Sequence, residues 1–320
     1  MSRAPRGSRI HRGLVGERAL VGTPYLADAG LRREYADEIA PRTTAALGKI
    51  LDEVYAEAPA PTRALDLGAG TGAAGATLRA RFGAALEVVA VDRVRAPGIV
   101  VIDLELEREL PRDLGRFDLV VAAHVLNELF GRRDEATRVA ERAARVLAWA
   151  RALAPGGTLI LVEPALRETS RALLAVRDRV LAAGLHVVAP CFFTGPCPAL
   201  ARERDWCHDA AKVPSSPRVD FSWLALRPSP PPARLGEPLR VVSDALVEKG
   251  RLKIFACGAG GRGAYVRLDR AASEANADFA RLERGDVFAF EGEPPAATAD
   301  GARVAADAVV TRRAGASPRG

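Results

Sequence analysis

Short apolar runs alternate with amphipathic stretches along the first two-thirds of the chain. A run of about four to eight apolar residues predicts a buried strand, and apolar positions three or four residues apart predict a helix. The predicted strands are 63–67, 86–91, 98–103, 117–124, 158–163, 185–190 and 221–226. The predicted helices are 31–57 (one or two helices), 73–82, 134–153 and 167–183. This alternation predicts an α/β fold with a mostly parallel sheet and helices on both faces.

The pattern changes after residue 227, where prolines interrupt it. The remainder lacks long helical periodicity and predicts short strands at 239–242, 252–256, 264–268, 286–290 and 304–310. We therefore divide the chain into successive segments. They are a basic flexible arm (1–24), an N-terminal helical segment (25–60), an α/β domain (61–227) with a cysteine-rich insertion (191–218), a Pro-rich linker (228–235), a small β-rich C-terminal extension (236–312) and a tail (313–320).

A glycine cluster follows the first predicted strand, at Gly68, Gly70 and Gly72. Glycines there let the backbone turn sharply into a helix and pass close to a ligand. Asp92 closes the second strand, where a carboxylate can accept hydrogen bonds from both hydroxyls of a ribose. The spacing Gly70-x-Gly72-x-x-Gly75 also satisfies the dinucleotide fingerprint, so it does not by itself identify the nucleotide.

Three further features favour S-adenosylmethionine over a nicotinamide or flavin cofactor. Asp66 lies two residues before the first glycine, where a carboxylate can meet the ligand's amino group, and Asp103 ends the third strand, near the place of an adenine. The segments 117–124 and 155–163 are similar to the fourth and fifth strands of class I methyltransferases. We therefore predict a class I methyltransferase Rossmann-like sheet; the alternative is a glycine turn without a ligand. The predicted cofactor-binding residues are Asp66, Gly68, Gly70, Gly72, Asp92 and Asp103.

Weak candidates for catalysis follow the fourth strand. An Asp/Asn-Pro-Pro-aromatic motif is usual there in amine-methylating enzymes, and this chain has Ala123-His-Val-Leu-Asn-Glu128 instead. His124 and Glu128 are candidate general bases, and Asn127 is a candidate for orienting a substrate. All three could instead support the turn or cap a helix, so the sequence leaves the catalytic residues unknown.

The chain has a formal net charge of +6, and arginine contributes most of its positive charge. Residues 1–33 are rich in arginine, and this arm could be solvated, could contact RNA or could be an organelle transit peptide. Arg138, Arg142 and Arg145 share one face of the helix at 134–153, which we predict to be solvated, with an RNA-facing stripe as the alternative. We find no apolar run near the ~20 residues that cross a bilayer. We expect no membrane association and a bacterial cytoplasmic location rather than a mitochondrial one.

The four cysteines are Cys191, Cys197, Cys207 and Cys257, with gaps of 6, 10 and 50 residues. Four thiolates can hold a structural zinc ion or an iron–sulfur cluster. The first two gaps are wider than those typical of zinc knuckles. Free thiols and disulfides are the alternatives, and His208 could replace one ligand in a zinc site.

The sequence resembles the mitochondrial-type small-ribosomal-subunit methyltransferase-like proteins, a family that also has bacterial members. The resemblance spans roughly residues 24–290. It is carried by 25–33 with Tyr35 and 41–42, by 66–72, 126–129, 163–164, 190–198 and 205–208, and by 253–257 with 284–286. The cysteine motifs are the most specific of these, although Phe192-Phe193 follows the first cysteine where Pro-His is common.

The resemblance implies a factor of ribosomal small-subunit assembly or translation that binds small-subunit rRNA and assembly intermediates. It also implies a 4Fe–4S cluster on Cys191, Cys197, Cys207 and Cys257, with zinc as the alternative. It leaves methyl transfer open. The competing functions are an active rRNA methyltransferase and a small-molecule methyltransferase with a structural zinc. We expect a monomer.

Overall fold

The computed structural model describes residues 8–213, 216–231, 237–292, 294–295 and 301–313. The predictions for 1–7, for half of the linker (232–235) and for the tail after residue 313 lie outside these residues. The α-helices of the described part are α1 (Arg9–His11), α2 (Ala29–Glu38), α3 (Ala40–Val54), α4 (Ala73–Phe82), α5 (Glu135–Ala150) and α6 (Arg167–Ala182). None of these helices combines the length and the apolar character needed to span a membrane.

The first sheet has eight strands within the described residues. They are β1 (Arg63–Leu67), β2 (Glu87–Asp92), β3 (Ile99–Val101), β4 (Phe117–Ala123), β5 (Leu153–Pro164), β6 (His186–Ala189), β7 (Asp209–Val213) and β8 (Ser216–Arg227). Their order is β3-β2-β1-β4-β5-β8-β6, with β7 paired to β8. The strands from β3 to β5 are parallel, and β8 is antiparallel to both neighbours. The chain therefore has the predicted Rossmann-like fold of class I methyltransferases.

Helices cover both faces of this sheet. Leu47, Ile50 and Leu51 of α3 pack with α4 on one face, and Trp149 of α5 and Val176 of α6 pack on the other. The apolar residues of each helix recur at helical spacing, so each buries one stripe against the sheet. All parallel strands point their carboxyl ends at the same edge, where ligands bind in this type of fold.

A second sheet follows. Its strands are β9 (Leu239–Val241), β10 (Leu246–Glu248), β11 (Arg251–Gly258), β12 (Gly261–Leu268), β13 (Val287–Phe290), β14 (Ala302–Val304) and β15 (Val310–Arg313). Their order is β14-β12-β11-β9-β13-β15, and β10 pairs with β11. Ile254, Phe279 and Phe288 form the centre of its core. The predicted β-rich C-terminal part is confirmed.

Several local predictions were wrong. The predicted strand 304–310 is two strands, β14 and β15, and the insertion contains β7, which we did not predict. Residues 155–157, before the predicted strand 158–163, lie within β5, where the register with β4 shifts. The predicted flexible arm is folded from Ser8 onwards, because Ile10 is fully buried and Arg9 pairs with Glu34 at 2.8 Å.

The predicted solvated arginine face of α5 is also wrong for two of its three members. Arg142 and Arg145 are each 6% exposed. Arg142 donates to the carbonyl oxygens of Asn127 and Leu129 at 2.9–3.1 Å, and Arg145 donates to that of Leu104 at 3.0 Å. These two guanidinium groups bind the loops around the sheet edge and do not face solvent.

Candidate functional site

The glycine loop joins β1 to α4 at the carboxyl edge of the first sheet. Gly68, Gly70 and Gly72 have φ values of +68°, +54° and +83°, in the left-handed region that glycine alone adopts readily. A Cβ atom on Gly68 would lie 2.5 Å from Cγ2 of Val125, so this glycine is also required by close packing. Gly72 precedes α4, and in the first turn of this helix the N–H of Gly75 is bonded to Asp66.

Two carboxylates hold the loop in place. Asp66 is 1% exposed and its Oδ2 accepts a hydrogen bond from the backbone N–H of Gly75 at 2.9 Å. Burial raises the pKa of Asp66 to about 7. Asp92, at the end of β2, accepts from the N–H of Gly70 at 2.9 Å and from that of Val94 at 2.8 Å. The loop geometry therefore depends on both acids.

An open cleft of about 650 Å³ lies above the loop. The predicted residues that line it are Gly68, Gly70, Asp92, Asp103, His124 and Glu128. Asp66 lies beneath the loop, and Asn127 lines a neighbouring cleft. Asp103 stands two residues beyond β3, where its Oδ1 accepts from the N–H groups of Glu105 and Leu106. The structure thus brings Gly68, Gly70, Asp92 and Asp103 to one cleft.

The N-terminal segment 23–26 forms one wall of this cleft. The hydroxyl of Tyr25 donates to Oε1 of Glu128 at 2.9 Å. Arg93 lies 3.6 Å from the same carboxylate and donates to the carbonyl oxygens of Gly22 and Thr23. Sequence reasoning did not assign Tyr25 or Arg93 to the site. Arg93 directly follows Asp92 at a strand end, and this position was the sequence signal that could have assigned Arg93 to the site.

His124 lies at the exit of β4 with a strained, left-handed φ of +63°. Its N–H donates to the carbonyl oxygen of Val162 at 2.7 Å. Its Nδ1 is buried and has no hydrogen-bond partner among the described residues. Burial lowers the pKa of His124 to about 4 and raises that of Glu128 to about 7. The imidazole is therefore neutral at pH 7, and the same burial makes it a weak base.

Asn127 has a supporting position. It is buried, and its Nδ2 donates to the carbonyl oxygen of His124 at 3.0 Å. Glu163, at the end of β5, accepts from the backbone N–H groups of Leu126 and Asn127 at 2.9 and 3.3 Å. Glu163 and Asn127 together fix the turn that presents His124 to the cleft.

The four cysteines come from distant parts of the chain and are free thiols in the described structure. Cys191 follows β6, Cys197 and Cys207 lie in the insertion, and Cys257 lies in β11 of the second sheet. Burial, together with the neighbouring Cys191, raises the pKa of Cys197 to about 11. Burial, together with Cys191 and Cys197, raises the pKa of Cys257 to about 12. Burial and the other three cysteines also raise the pKa of Cys207. The four thiols are therefore electrostatic neighbours.

Their spacing does not suit a single metal ion. Within the described residues, no three His, Cys, Asp or Glu side chains are close enough to hold one ion. Tetrahedral zinc with Zn–S distances of about 2.3 Å requires sulfur atoms within about 4 Å of one another. The described residues show neither a zinc site nor an iron–sulfur site. An iron–sulfur cluster has several iron atoms, so its thiolate ligands are farther apart.

Arginines surround the cysteines. The Arg177 side chain is 1% exposed, pairs with Asp178 at 2.5 Å and donates to the carbonyl oxygen of Gly195 at 2.9 Å. Asp178 in turn accepts from the N–H of Cys197 at 2.9 Å. Arg240 donates to the carbonyl oxygen of Pro190 at 2.8 Å, directly before Cys191. Nearby cations favour thiolates over thiols, so these residues suit a negatively charged metal–thiolate group.

The chain is similar to known proteins in sequence and in structure. The family model described as mitochondrial small ribosomal subunit Rsm22 matches residues 32–225. A SAM-dependent methyltransferase from Leishmania major is 15% identical, with a TM-score of 0.44, over 69% of this chain and 87% of that one. The N-methyltransferase NodS from Bradyrhizobium japonicum is 17% identical, with a TM-score of 0.39, over 69% and 98%. At such identities the likeness concerns the fold alone. No curated protein matches the sequence.

Proposed function

This chain belongs to the family of the mitochondrial small ribosomal subunit protein Rsm22, and from that membership we propose an S-adenosylmethionine-binding, iron–sulfur-containing factor of ribosomal small-subunit assembly or translation. In this proposal the protein binds small-subunit rRNA and assembly intermediates, as a monomer of a bacterial cytoplasm. Binding of the cofactor is separate from its use, so the proposal does not require methyl transfer.

The observation that carries the cofactor proposal is the cleft above the glycine loop. Gly68 and Gly70 expose backbone to a ligand without side chains, and Asp92 stands at the end of β2, where a ribose would lie. Asp103 lies on the far side, beside Ile102 and Leu104, which offer an apolar surface to an adenine ring. The cleft therefore provides for each part of a nucleoside.

The residues present fit a 4Fe–4S cluster. Cys191, Cys197, Cys207 and Cys257 would hold it, one thiolate each. Their convergence from two sheets and the insertion supports this assignment, because it brings four half-buried thiols near the buried side chains of Arg177 and Arg240. When bound, the cluster would supply a rigid crosslink and a redox-sensitive group. The protein's own part is to orient the thiols, through Asp178 at Cys197 and Arg240 beside Cys191.

Support for an RNA partner is electrostatic. The net charge of +6 favours a polyanion, and Trp206 is an exposed indole in a loop with exposed Arg202 and Arg204. Exposed aromatic rings beside arginines suit stacking with unpaired bases. This loop also carries Cys207, so a cluster would hold the loop in a fixed conformation.

The proposal is tested by three measurements on the full chain. S-adenosylhomocysteine should bind to the wild type and not to Gly70→Arg, because that side chain would enter the cleft close to Leu26. Anaerobically purified protein should be brown and contain iron and sulfide. Cross-linking in cells should recover small-subunit rRNA. A colourless protein with one equivalent of zinc contradicts the cluster, and recovery of no rRNA contradicts the ribosomal function.

One observation favours methyl transfer to rRNA as a second candidate function. His124 is neutral at pH 7 and directs an unpartnered ring nitrogen into a buried position beside the cofactor cleft. Such a nitrogen can accept a hydrogen bond from an acceptor nucleophile and orient it beside the cofactor. If this function is correct, deletion of the gene and replacement by His124→Asn should remove the same rRNA methyl group. An unchanged modification pattern contradicts it.

A further inference from the structure

A second open cleft of about 1380 Å³ adjoins the cofactor cleft. The two clefts are continuous, because Thr23, Arg93, Asp103 and Glu128 line both of them. Nothing in the proposed function assigns a ligand to this second space. Its position would place any bound molecule beside the cofactor.

Five arginines line the second cleft, and three of them lack strong partners. Arg93 is paired with Glu128, and Arg142 donates to the carbonyl oxygens of Asn127 and Leu129. The three others are Arg18 of the N-terminal segment, Arg132 of the turn before α5, and Arg138 of α5. They approach the cleft from separate elements of the fold.

Two of these guanidinium groups have unsatisfied donors. Nη1 of Arg18 and Nε of Arg138 are buried and have no hydrogen-bond partner among the described residues. The remaining contacts are long: Arg18 Nη2 is 3.4 Å from Oδ1 of Asn127, and Arg138 Nη2 is 4.0 Å from Oε1 of Glu168. Buried donors are nearly always satisfied in folded proteins. Arg18 also has a left-handed φ of +58°, a strain that is concentrated at functional sites.

Carboxylates in the cleft do not satisfy these arginines. Glu105 accepts no hydrogen bond from them, and Asp103 accepts from the N–H groups of its own loop. The Glu168 side chain is 64% exposed and only at the limit of an ion pair with Arg138. The cleft therefore offers guanidinium donors in excess of its own acceptors.

We propose that Arg18, Arg132 and Arg138 bind a phosphate group of a nucleotide or of RNA in this cleft. A tetrahedral phosphate accepts hydrogen bonds from several guanidinium groups at once. A carboxylate is instead matched by the two parallel N–H donors of a single arginine. The ligand carries its phosphate next to the cofactor cleft. This inference goes beyond the proposed function, since it depends neither on the iron–sulfur cluster nor on methyl transfer.

The test uses the full chain with S-adenosylhomocysteine added to fill the cofactor cleft. The probes are cytidine 5′-monophosphate, cytidine, and a short single-stranded RNA without a terminal phosphate, measured by calorimetry. Arg132→Gln and Arg138→Gln should each weaken binding about tenfold or more, the usual effect of losing a charged hydrogen bond. The matched control is Arg133→Gln, which removes a neighbouring exposed arginine that does not line the cleft.

The outcomes separate the sources of the phosphate. Binding of the monophosphate but not of cytidine supports a mononucleotide ligand, and binding of the RNA alone supports a backbone phosphate. If the RNA alone binds, each variant should reduce the slope of log K against log salt concentration by about one. Equal affinities of the wild type and both variants overturn the proposal, as does binding of no phosphate probe. If the variants lose affinity for S-adenosylhomocysteine but not for the phosphate probes, the proposal is also overturned, because the arginines then bind the cofactor.

Discussion

An added methyl group should have opposite effects at Gly68 and at Gly48. Gly68→Ala places a Cβ 2.5 Å from Val125 at a left-handed φ, so we expect a loss of about 2 kcal/mol or more in unfolding free energy and no cofactor binding. Gly48 is in the interior of α3, with no described atom within 4 Å of an added Cβ. Gly48→Ala should stabilise the protein by roughly 0.5–1 kcal/mol. Urea unfolding and calorimetry with S-adenosylhomocysteine measure both; similar results for the two variants would contradict the close packing.

Asp66 should make the stability of the cofactor-free protein depend on pH. Burial raises its pKa from 3.8 to about 7, so between these values the folded protein keeps a proton that the unfolded chain has lost. Stability therefore falls as the pH rises through this window, by up to about 1.4 kcal/mol per pH unit. Asn cannot lose a proton and can still accept the Gly75 N–H. Urea midpoints between about pH 4 and 8 should fall less steeply for Asp66→Asn; parallel curves would exclude the effect.

Residues whose role depends on local spacing could be predicted, and residues whose role depends on distant partners could not. The glycines follow from a strand-to-helix turn that is visible within a few residues of sequence, and Asp92 follows from its place at the end of the next strand. Arg142 looks solvated on a helical projection, yet its acceptors are carbonyl oxygens 13 and 15 residues away. The sequence does not show which carbonyl groups of a loop lack a backbone hydrogen-bond partner.

At the scale of elements, α6 positions the cysteine insertion. Asp178 accepts from the backbone N–H of Cys197 and pairs with the buried Arg177, so Asp178→Ala leaves two buried donors unsatisfied. If the proposed cluster exists, this variant should hold less than about half the iron of the wild type. Arg179→Ala is the control, because its side chain is exposed on the same helix.

Iron, sulfide and the absorbance near ~400 nm provide the measurement for this pair of variants. Binding of S-adenosylhomocysteine shows whether the first sheet remains folded in each of them. Full iron content in folded Asp178→Ala would show that α6 does not position the cysteines. Equal iron loss in both variants would point to general destabilisation.

The helices and strands that continue a local apolar pattern were predicted well, and the others were not. β1 and α4 lie where their sequence patterns place them. β8 begins five residues before its predicted start, because it gains β7 as a partner that local hydrophobicity cannot reveal. Pairing between β7 and β8 is a property of the insertion as a whole.

At the scale of the molecule, Arg240 joins the two sheets. It lies in β9 of the second sheet and is 5% exposed, and it contacts Glu53 of α3, Pro190 beside the first cysteine, and Gly285 before β13. Asp209 of β7 lies 3.9 Å away. Contacts to four separate segments indicate that this one side chain couples the folding of both sheets.

Arg240→Met should therefore divide a cooperative unfolding transition into two. Removing one partner of a buried ion pair costs up to about 3–5 kcal/mol. Here the half-buried Glu53 loses its cation, whereas Asp209 keeps its pair with Lys49 at 2.7 Å. All three tryptophans (149, 206 and 223) precede the second sheet, so fluorescence follows the first sheet and the insertion, whereas far-UV circular dichroism follows both sheets. In urea, the dichroism of the variant should begin to change before its fluorescence, while the two signals of the wild type coincide. Arg251→Gln, which removes an exposed pair with Glu248, should leave them coincident; coincidence in Arg240→Met as well would show that the sheets are coupled by other contacts.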